Sequence, residues 1–584
     1  MERLGESKSI ATKRFMALER RLNANLEMKA LYTAFIHEYL LMGHMKEIRD
    51  EEDEPKCSYY MPHHAVMKPD STTTKLRVVF DASCATDSGI SLNDILMVGP
   101  VVQNDLLSIL IRFRLHKYAI VGDVEKMYRM INVVEQDQPL QRILWRESVD
   151  ERLRTYQLTT VTYGTSSAPY LATRSLKRCA EEGEKTHPVA ANVIKNNFYV
   201  DDMLAGVHTV DEGKKLCSDV QSLLGSAGFN LRKWHSNQQE ILNNIPSYLR
   251  DKRDVLNIDT TSTVKTLGLT WEPDSDLFWF KMPRWKQTSP ITQRVVLSEA
   301  ARLFAPYGLV GPVIVQAKMF LQELWKGKYS WDEPLNMTLQ SQWLEFRNSL
   351  DRLDAVSVPR WIAFGKNVIS CELHGFCDAS ERAYGAVIYL RSVTREGQVS
   401  VRLVMAKSKV APLEDLNKRK KKLSIPRLEL SSALVLAHLY ETVAASIQIP
   451  TKAYFWTDST IVKCWLSSHP SRWQVFVANR VSEIQHISRE GVWNHVPGVE
   501  NPADIISRGA TPLQLAESSV WWNGPSWLGK DCNEWPKTYE APDQQFDSVT
   551  LEEKPLVTIA EKSIEQLDKQ ECLVHENMKK HCSF

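Results

Sequence analysis

Two apolar runs that end in carboxylates constrain this chain more than any other feature. In Tyr199-Val-Asp-Asp202, two adjacent acids follow a hydrophobic stretch, where a β-hairpin turn would expose them together. Asp123 closes a second run, Tyr118-Ala-Ile-Val-Gly-Asp. A lone Tyr-x-Asp-Asp would be an ordinary Asp-rich turn. Strands that end in acids at one place instead collect the hard oxygen ligands that divalent cations require. Two such ions about 4 Å apart suit an in-line displacement at phosphorus. Around these acids, strand-like runs at 76–80, 119–124, 197–200 and 266–271 alternate with helical stretches at 170–182 and 211–226, which predicts an α+β unit.

A second set of acids follows the same logic further along. Asp378 ends a strand in Gly375-Phe-Cys-Asp-Ala-Ser, and Glu429 falls in the first turn of a helix opening at Ile425-Pro-Arg-Leu-Glu. Asp458 follows a strand in Phe455-Trp-Thr-Asp-Ser, and Asp504 opens a helix in Asn501-Pro-Ala-Asp. Taken singly, Asp504 reads as a helix-dipole partner and Asp458 as a helix cap. Four acids on strand and helix ends, in this order through strands 373–378, 385–390, 401–407 and 453–457 and the helix 428–443, resemble the ribonuclease H fold. There, four such acids hold two Mg²⁺ ions that activate water against an RNA phosphodiester. One departure is plain: Gly498-Val-Glu-Asn-Pro-Ala503 lacks the His that many ribonucleases H carry in the loop before the last Asp. His495 lies earlier, in the expected final strand.

At 584 residues the chain predicts about four folding units. Its 43% hydrophobic and 24% charged residues exclude bulk disorder. With 72 Lys and Arg against 71 Asp and Glu, any basic groove must be local. The charge-free run 155–173 is crowded with Thr and Ser and carries Gly164 and Pro169, so it is no membrane helix, and the charged N-terminus lacks a signal-peptide core. Ten cysteines without a Cys-x-x-Cys pair suit reduced thiols in a cytosolic or nuclear protein. Cys572, His575, His581 and Cys582 fit no common zinc spacing. Lys418-Arg-Lys-Lys-Lys422 reads as a solvated loop ahead of a nucleic-acid contact or import signal. The Trp-rich helices of 285–365 read as packing in preference to a duplex grip.

Other residues surround the first set. Arg77, in Leu76-Arg-Val-Val-Phe-Asp81, is a planar cation suited to triphosphate oxygens. Tyr128, five residues after Asp123, can fill the space of a ribose 2′-hydroxyl. Gly164, in Tyr163-Gly-Thr-Ser-Ser-Ala, allows close approach of a nucleotide or template, and Lys233 is a candidate proton donor to pyrophosphate. Leu267-Gly268 looks like the turn that grips a primer. These segments, with Tyr60-Met-Pro-His-His-Ala-Val, Tyr199-Val-Asp-Asp and Phe304-Ala-Pro-Tyr-Gly-Leu-Val-Gly-Pro, resemble the reverse transcriptase of the BEL/Pao family of long-terminal-repeat retrotransposons over roughly residues 1–540.

The resemblance implies a multidomain α+β polymerase right hand of fingers, palm and thumb, followed by an α/β ribonuclease H-like domain. Its expected divisions are an N-terminal helical segment (1–54), fingers and palm (55–284), a helical thumb and connection (285–369), the ribonuclease H-like domain (370–512), and a Trp-rich segment with a polar, disordered tail (513–584). It implies that Asp123, Asp201 and Asp202, and separately Asp378, Glu429, Asp458 and Asp504, are catalytic metal ligands. Arg77, Tyr128, Gly164, Tyr199 and Lys233 fall at substrate-binding positions. The implied cofactor is Mg²⁺, two ions per site, with Mn²⁺ as substitute. The implied partners are an RNA template, a DNA primer, RNA/DNA hybrid and dNTPs, with no membrane, in a cytoplasmic setting such as a virus-like particle or in the nucleus. The competing reading is a non-catalytic, retrotransposon-derived nucleic-acid-binding or interaction protein.

Overall fold

The computed structural model describes residues 3–48, 57–67, 75–251, 256–258, 269–280, 282, 285, 290–303, 305–362, 367–414, 422–447, 451–536, 549 and 551–554. The acidic run 50–54, Leu267-Gly268, the basic stretch 418–421 and the Cys/His group at 572–582 lie outside the described residues. The chain opens with α1 (Lys8–Asn23) and α2 (Leu26–Leu41). Ala11, Phe15, Leu18 and Leu22 recur at intervals of three and four and all face inward. Asn25 caps α2, its Oδ1 accepting from the Met28 amide at 3.0 Å.

Next come β1 (Met45–Ile48), β2 (His63–Met67), β3 (Leu76–Phe80), α3 (Leu92–Ile95), α4 (Leu106–Phe113), β4 (Tyr118–Val124), β5 (Arg142–Trp145) and β6 (Arg154–Leu158). β6 pairs antiparallel with β1 and β5, and β2 with β3. The two N-terminal helices close one core over both pieces, with Tyr32, Tyr59, Val78, Ile143 and Trp145 at its centre.

α5 (Ala168–Glu182), α6 (Pro188–Asn196), β7 (Phe198–Tyr199), β8 (Asp202–Val207), α7 (Val210–Ser226) and β9 (Leu231–Ser236) complete a sheet of order β7-β8-β4-β9. Residues of α5, α6 and α7 share its core with Ile120, Val124 and Trp234. β10 (Leu256–Ile258), β11 (Leu269–Glu272) and β12 (Leu277–Phe280) build a further antiparallel sheet. α8 (Gln293–Ala300), α9 (Gly311–Lys326) and α10 (Met337–Ser349) then leave that sheet, and β13 (Ser357–Pro359) returns to pair with β12. The helices of the segment expected at 285–369 are an excursion from a sheet whose strands lie on both sides of residue 285.

β14 (Val368–Ala379), β15 (Ala383–Thr394) and β16 (Val399–Val410) form an antiparallel meander, and β17 (Lys452–Thr457) and β18 (Gly491–His495) add parallel to β14, giving the order β16-β15-β14-β17-β18. Among the helices are α11 (Ile425–Ile447), α12 (Thr460–Leu466), α13 (Val475–Ile487), α14 (Asp504–Arg508), α15 (Pro512–Glu517) and α16 (Ser519–Asn523). By length and composition α11 could cross a membrane. Here it is a core helix, with Leu430, Leu436 and Val443 packed among sheet residues Leu373, Ile388 and Phe455. Another core receives Trp521, Trp527 and Trp535 of the C-terminal segment against Phe376, Tyr389 and Trp456.

The polar tail expected beyond Pro542 is not uniformly loose: Val549 is buried, and the Arg427 guanidinium forks onto Glu552 at 2.5 and 3.0 Å. Local composition cannot reveal a carboxylate whose partner lies more than a hundred residues away. The two α/β regions also share a core. Ile109, Phe113 and Leu204 pack in one cluster with Tyr307, Phe376 and Trp456, and Ile111 of α4 packs with α11. Two buried arginines fasten this junction. Arg360 reaches Asp276 at 2.6 and 2.9 Å and the carbonyls of Phe113, His116 and Lys117, while Arg114 donates to the carbonyls of Arg360, Pro359 and Val404.

Candidate functional site

β4 lies antiparallel to β8 with Asp123 directly opposite Asp202. Asp201 sits in the turn between β7 and β8, and its carbonyl accepts from the Val124 amide at 2.8 Å. Val200 takes φ +55°, a conformation rare for a β-branched residue. Gln103 holds it there, accepting from the Val200 amide at 2.8 Å and donating to its carbonyl at 3.4 Å. The Asp123 carboxylate is held by Arg232 at 3.3 Å and Lys233 at 3.0 Å, and Arg232 also reaches Glu125 at 2.9 Å. Burial raises the Asp201 and Asp202 carboxyls, and the neighbouring acids add to the shift; Lys233 opposes it in both.

Arg77 projects from β3 between the inward Leu76 and Val78, its guanidinium 5.4 Å from the centre of the Tyr163 ring. The Tyr128 hydroxyl is pushed up first by burial, then by the charge of Asp201, with Arg77 opposing, so all three groups share one neighbourhood. Gly164 has φ +105°, and a Cβ there would stand 2.3 Å from the Phe80 carbonyl oxygen, so only glycine fits this bend. Tyr199 is half-buried opposite Asp202. Lys233 itself has φ +54°.

The second set is drawn tighter. Asp378 near the end of β14, Glu429 just past the first turn of α11 and Asp458 just after β17 place ligand oxygens within 4.8 Å of one another, the one group of three acids among the described residues to do so. Asp123, Asp201 and Asp202 stand wider apart. Burial pushes Asp378 up to about 7, an effect the Ser507 hydrogen bond opposes and Asp458 and Asp504 reinforce. Glu429 is pushed up to about 9 by burial and then by Asp378 and Asp458. Asp458 is raised by burial too. Glu429 Oε2 is buried without a hydrogen-bond partner among the described residues. Asp504 lies at the rim, half-exposed, with Arg508 at 2.5 Å from its carboxylate.

Several neighbours gave no signal in the sequence. Ser507 donates to the Asp378 carboxylate, and Asn501 donates to the Cys377 carbonyl at 3.1 Å. His495 belongs to β18, and its Nε2 lies 3.2 Å from the Asp458 carbonyl oxygen. Three crowded acids with a bare, buried oxygen, and with the Arg508 guanidinium engaged by Asp504, form an oxygen-donor set that fits a hard divalent cation.

Residues 292–459, from the start of α8 through Asp458, match the family model of the Pao retrotransposon-like RNaseH-like domain. That match spans less than a third of the chain. No curated protein matches the chain. Its fold is similar to the foamy viral protease-reverse transcriptase dRH in complex with double-stranded DNA, with a TM-score of 0.50 and 16% identity over 81% of this chain and 70% of that one. The foamy viral protease-reverse transcriptase in complex with RNA/DNA hybrid gives 0.48 and 15% over 81% and 54%, and its complex with dsDNA gives 0.49 and 16% over 81% and 84%. At such identities the likeness of this chain to these viral proteins is one of fold.

Proposed function

We propose that this protein is a Pao-type retroelement Pol protein, an RNA-directed DNA polymerase joined to a ribonuclease H, copying RNA into DNA and hydrolysing the RNA of the hybrid. The observation that carries the reading is a repeated construction. In each of two sheets a central strand ends in an acid, Asp123 on β4 and Asp378 on β14, and further acids stand beside it from neighbouring elements. In this reading β4 and β7–β9 with α5–α7 are the palm, residues before and around β2, β3, β5 and β6 the fingers, and α8–α10 the thumb and connection of a right hand.

Asp123, Asp201 and Asp202 would hold Mg²⁺ at the polymerase site, and Asp378, Glu429, Asp458 and Asp504 at the nuclease site. Bound Mg²⁺ supplies Lewis acidity to phosphoryl oxygens and a strong oxygen nucleophile. The chain's own groups do the rest. Arg77 sits beside Asp201 and Tyr128, where a planar cation can pair with triphosphate oxygens. The Tyr128 ring occupies space beside the same acid and excludes a 2′-hydroxyl, selecting dNTPs. Gly164 keeps the surface flat for a nucleotide or template, and Tyr199 braces the turn that carries Asp201. Lys233 protonates the departing pyrophosphate once it lets go of Asp123. Ser507 fixes the orientation of the Asp378 carboxylate.

Primer extension and labelled-RNA cleavage on the same preparations test the reading. Asp201→Asn should end DNA synthesis with RNA cleavage intact, and Asp378→Asn should do the reverse. Each loss is on the order of a thousandfold or more, the cost of removing a charged ligand from a two-metal site. Absence of both activities in the unmutated protein would favour the non-catalytic reading.

A further inference from the structure

The last two residues of α9 and the turn that follows carry the sequence Trp325-Lys-Gly-Lys-Tyr-Ser-Trp331. Among the described residues Trp325 and Trp331 are the only exposed tryptophans, 51% and 46% accessible, while Trp343 two turns into α10 is buried. The rings are not loose. With its amide oriented to satisfy both ends, buried Gln293 accepts from the Trp325 indole N–H at 2.7 Å and donates to the Tyr329 carbonyl at 2.6 Å. The next residue, Arg294, donates from its amide to the Trp331 carbonyl at 3.0 Å, and its guanidinium lies 5.9 Å from the Trp331 ring centre. That guanidinium is fixed in turn by Asp332 at 2.7 and 2.9 Å. Two consecutive residues at the start of α8 thus brace two aromatic faces that cover no core.

The charges around these rings are unequal. Asp332 is taken by Arg294, and Glu333 caps the turn through the Ser330 amide and hydroxyl. Lys326 and Lys328 are exposed and have no carboxylate partner among the described residues, and Lys328 takes φ +56°. The seven-residue segment therefore presents two free cations and two fixed π faces with no acid of its own; Glu323, on α9, is exposed beside it.

We infer that this segment binds unpaired nucleotides of a nucleic-acid strand, Lys326 and Lys328 on the phosphates and Trp325 and Trp331 stacked on bases. Stacking on aromatic side chains combined with backbone neutralisation is the chemistry by which single strands are held without sequence preference. A paired base has its faces covered, so the ligand is a single-stranded stretch, such as a template overhang, and not the duplex. The inference rests on the proposed function and narrows where one segment of its substrate lies. It also revises the expectation that all tryptophans of 285–365 serve packing.

The test is fluorescence anisotropy with an RNA/DNA hybrid carrying a single-stranded RNA overhang and with the same hybrid made blunt. The full chain is used, and circular dichroism checks folding. The unmutated protein should prefer the overhang substrate, and W325A/W331A should lose about tenfold or more of that preference, the scale of one to two stacked bases. K326Q/K328Q, which alters only exposed side chains, should flatten the slope of log affinity against log salt by about 1.4 on the overhang substrate, two contacts at 0.7 each. Equal affinity for both substrates, or both variants binding the overhang as the unmutated protein does, overturns the inference while leaving the polymerase and nuclease reading intact. Overhang binding without synthesis or cleavage would leave the inference standing and remove that reading.

Discussion

Lys233 Nζ donates to Asp123 Oδ2 across 3.0 Å, so the acid on the central strand of the first sheet is already engaged by a cation of its own chain. A divalent ion binding at Asp123 must displace that ammonium. Lys233→Met should therefore lower the Mg²⁺ concentration at half-maximal DNA synthesis by about twofold to fivefold, matching roughly 0.4–1 kcal/mol for a partly exposed pair. The same change should slow each turnover, because it removes the proton donor proposed for the departing pyrophosphate. A Mg²⁺ titration of primer extension measures both effects. An unchanged Mg²⁺ midpoint would mean that Lys233 does not compete for the site.

Tyr128 shares its surroundings with Asp201 and Arg77. Shortening the ring to a methyl group opens the space a 2′-hydroxyl needs. Tyr128→Ala should raise ribonucleotide incorporation relative to deoxynucleotide by about tenfold or more, the discrimination expected from a steric gate worth about 1.4 kcal/mol or more. Single-nucleotide extension with matched rNTP and dNTP decides it, and unchanged sugar selectivity would sink the assignment.

What the sequence made legible was local. Each acid of the two sets sits on the strand or helix end its own flanking residues announce: Asp123 and Asp378 close alternating apolar runs, and Glu429 follows a Pro-initiated helix start. Gly164 was legible as a small residue, but its need for φ +105° under the Phe80 carbonyl was not. The rest depends on contacts between distant segments, which leave no periodic trace. Ser507 meets Asp378, Arg232 meets Asp123 and Gln103 meets Val200 only after folding. Trp521 and Trp527 read as part of a loose Trp-rich segment because their partners, Leu309 and Glu500 among them, lie elsewhere in the chain. His495 shows the same limit: the loop expected to hold a His has none, and β18 places one beside Asp458 by sheet register alone.

Arg360 is fully buried, forked onto Asp276, and capped by three carbonyls near the end of α4. Arg360→Met would leave Asp276 without its partner and those carbonyls without donors. Breaking one side of a buried pair costs about 3–5 kcal/mol. Because this residue joins the first α/β region to the sheet of β10–β13 and, through Arg114, to β16, the loss should appear as one lowered melting transition. DNA synthesis and RNA cleavage should fall together after graded heating. Two transitions, with one activity surviving at the unmutated temperature, would show that the regions are not fastened there.

Glu429 and Asp378 make stability depend on pH in a direction opposite to that of surface carboxylates. In the unfolded chain both ionise in the ordinary carboxylate range. In the folded, metal-free protein, burial first and then repulsion from neighbouring acids keep Glu429 protonated to about 9, and burial net of the Ser507 bond keeps Asp378 protonated to about 7. Between those limits the folded state holds more protons than the unfolded one, so stability falls as pH rises. It is fully present below the ordinary carboxylate range and is lost progressively as pH climbs through about 7 and then about 9. A divalent cation replaces those protons with positive charge, so the stabilisation by Mg²⁺ should be small at acid pH and grow as pH rises, with proton release on binding. The melting temperature, measured in chelator and in excess Mg²⁺ from pH 6 to pH 9, should show that gap widening by about 1 °C for each kcal/mol gained. Asp378→Asn removes one charge from the cluster and should shrink the gap most at high pH. A gap that stays constant across the range, or one that Asp378→Asn leaves untouched, would place the stabilising cation away from Asp378, Glu429 and Asp458.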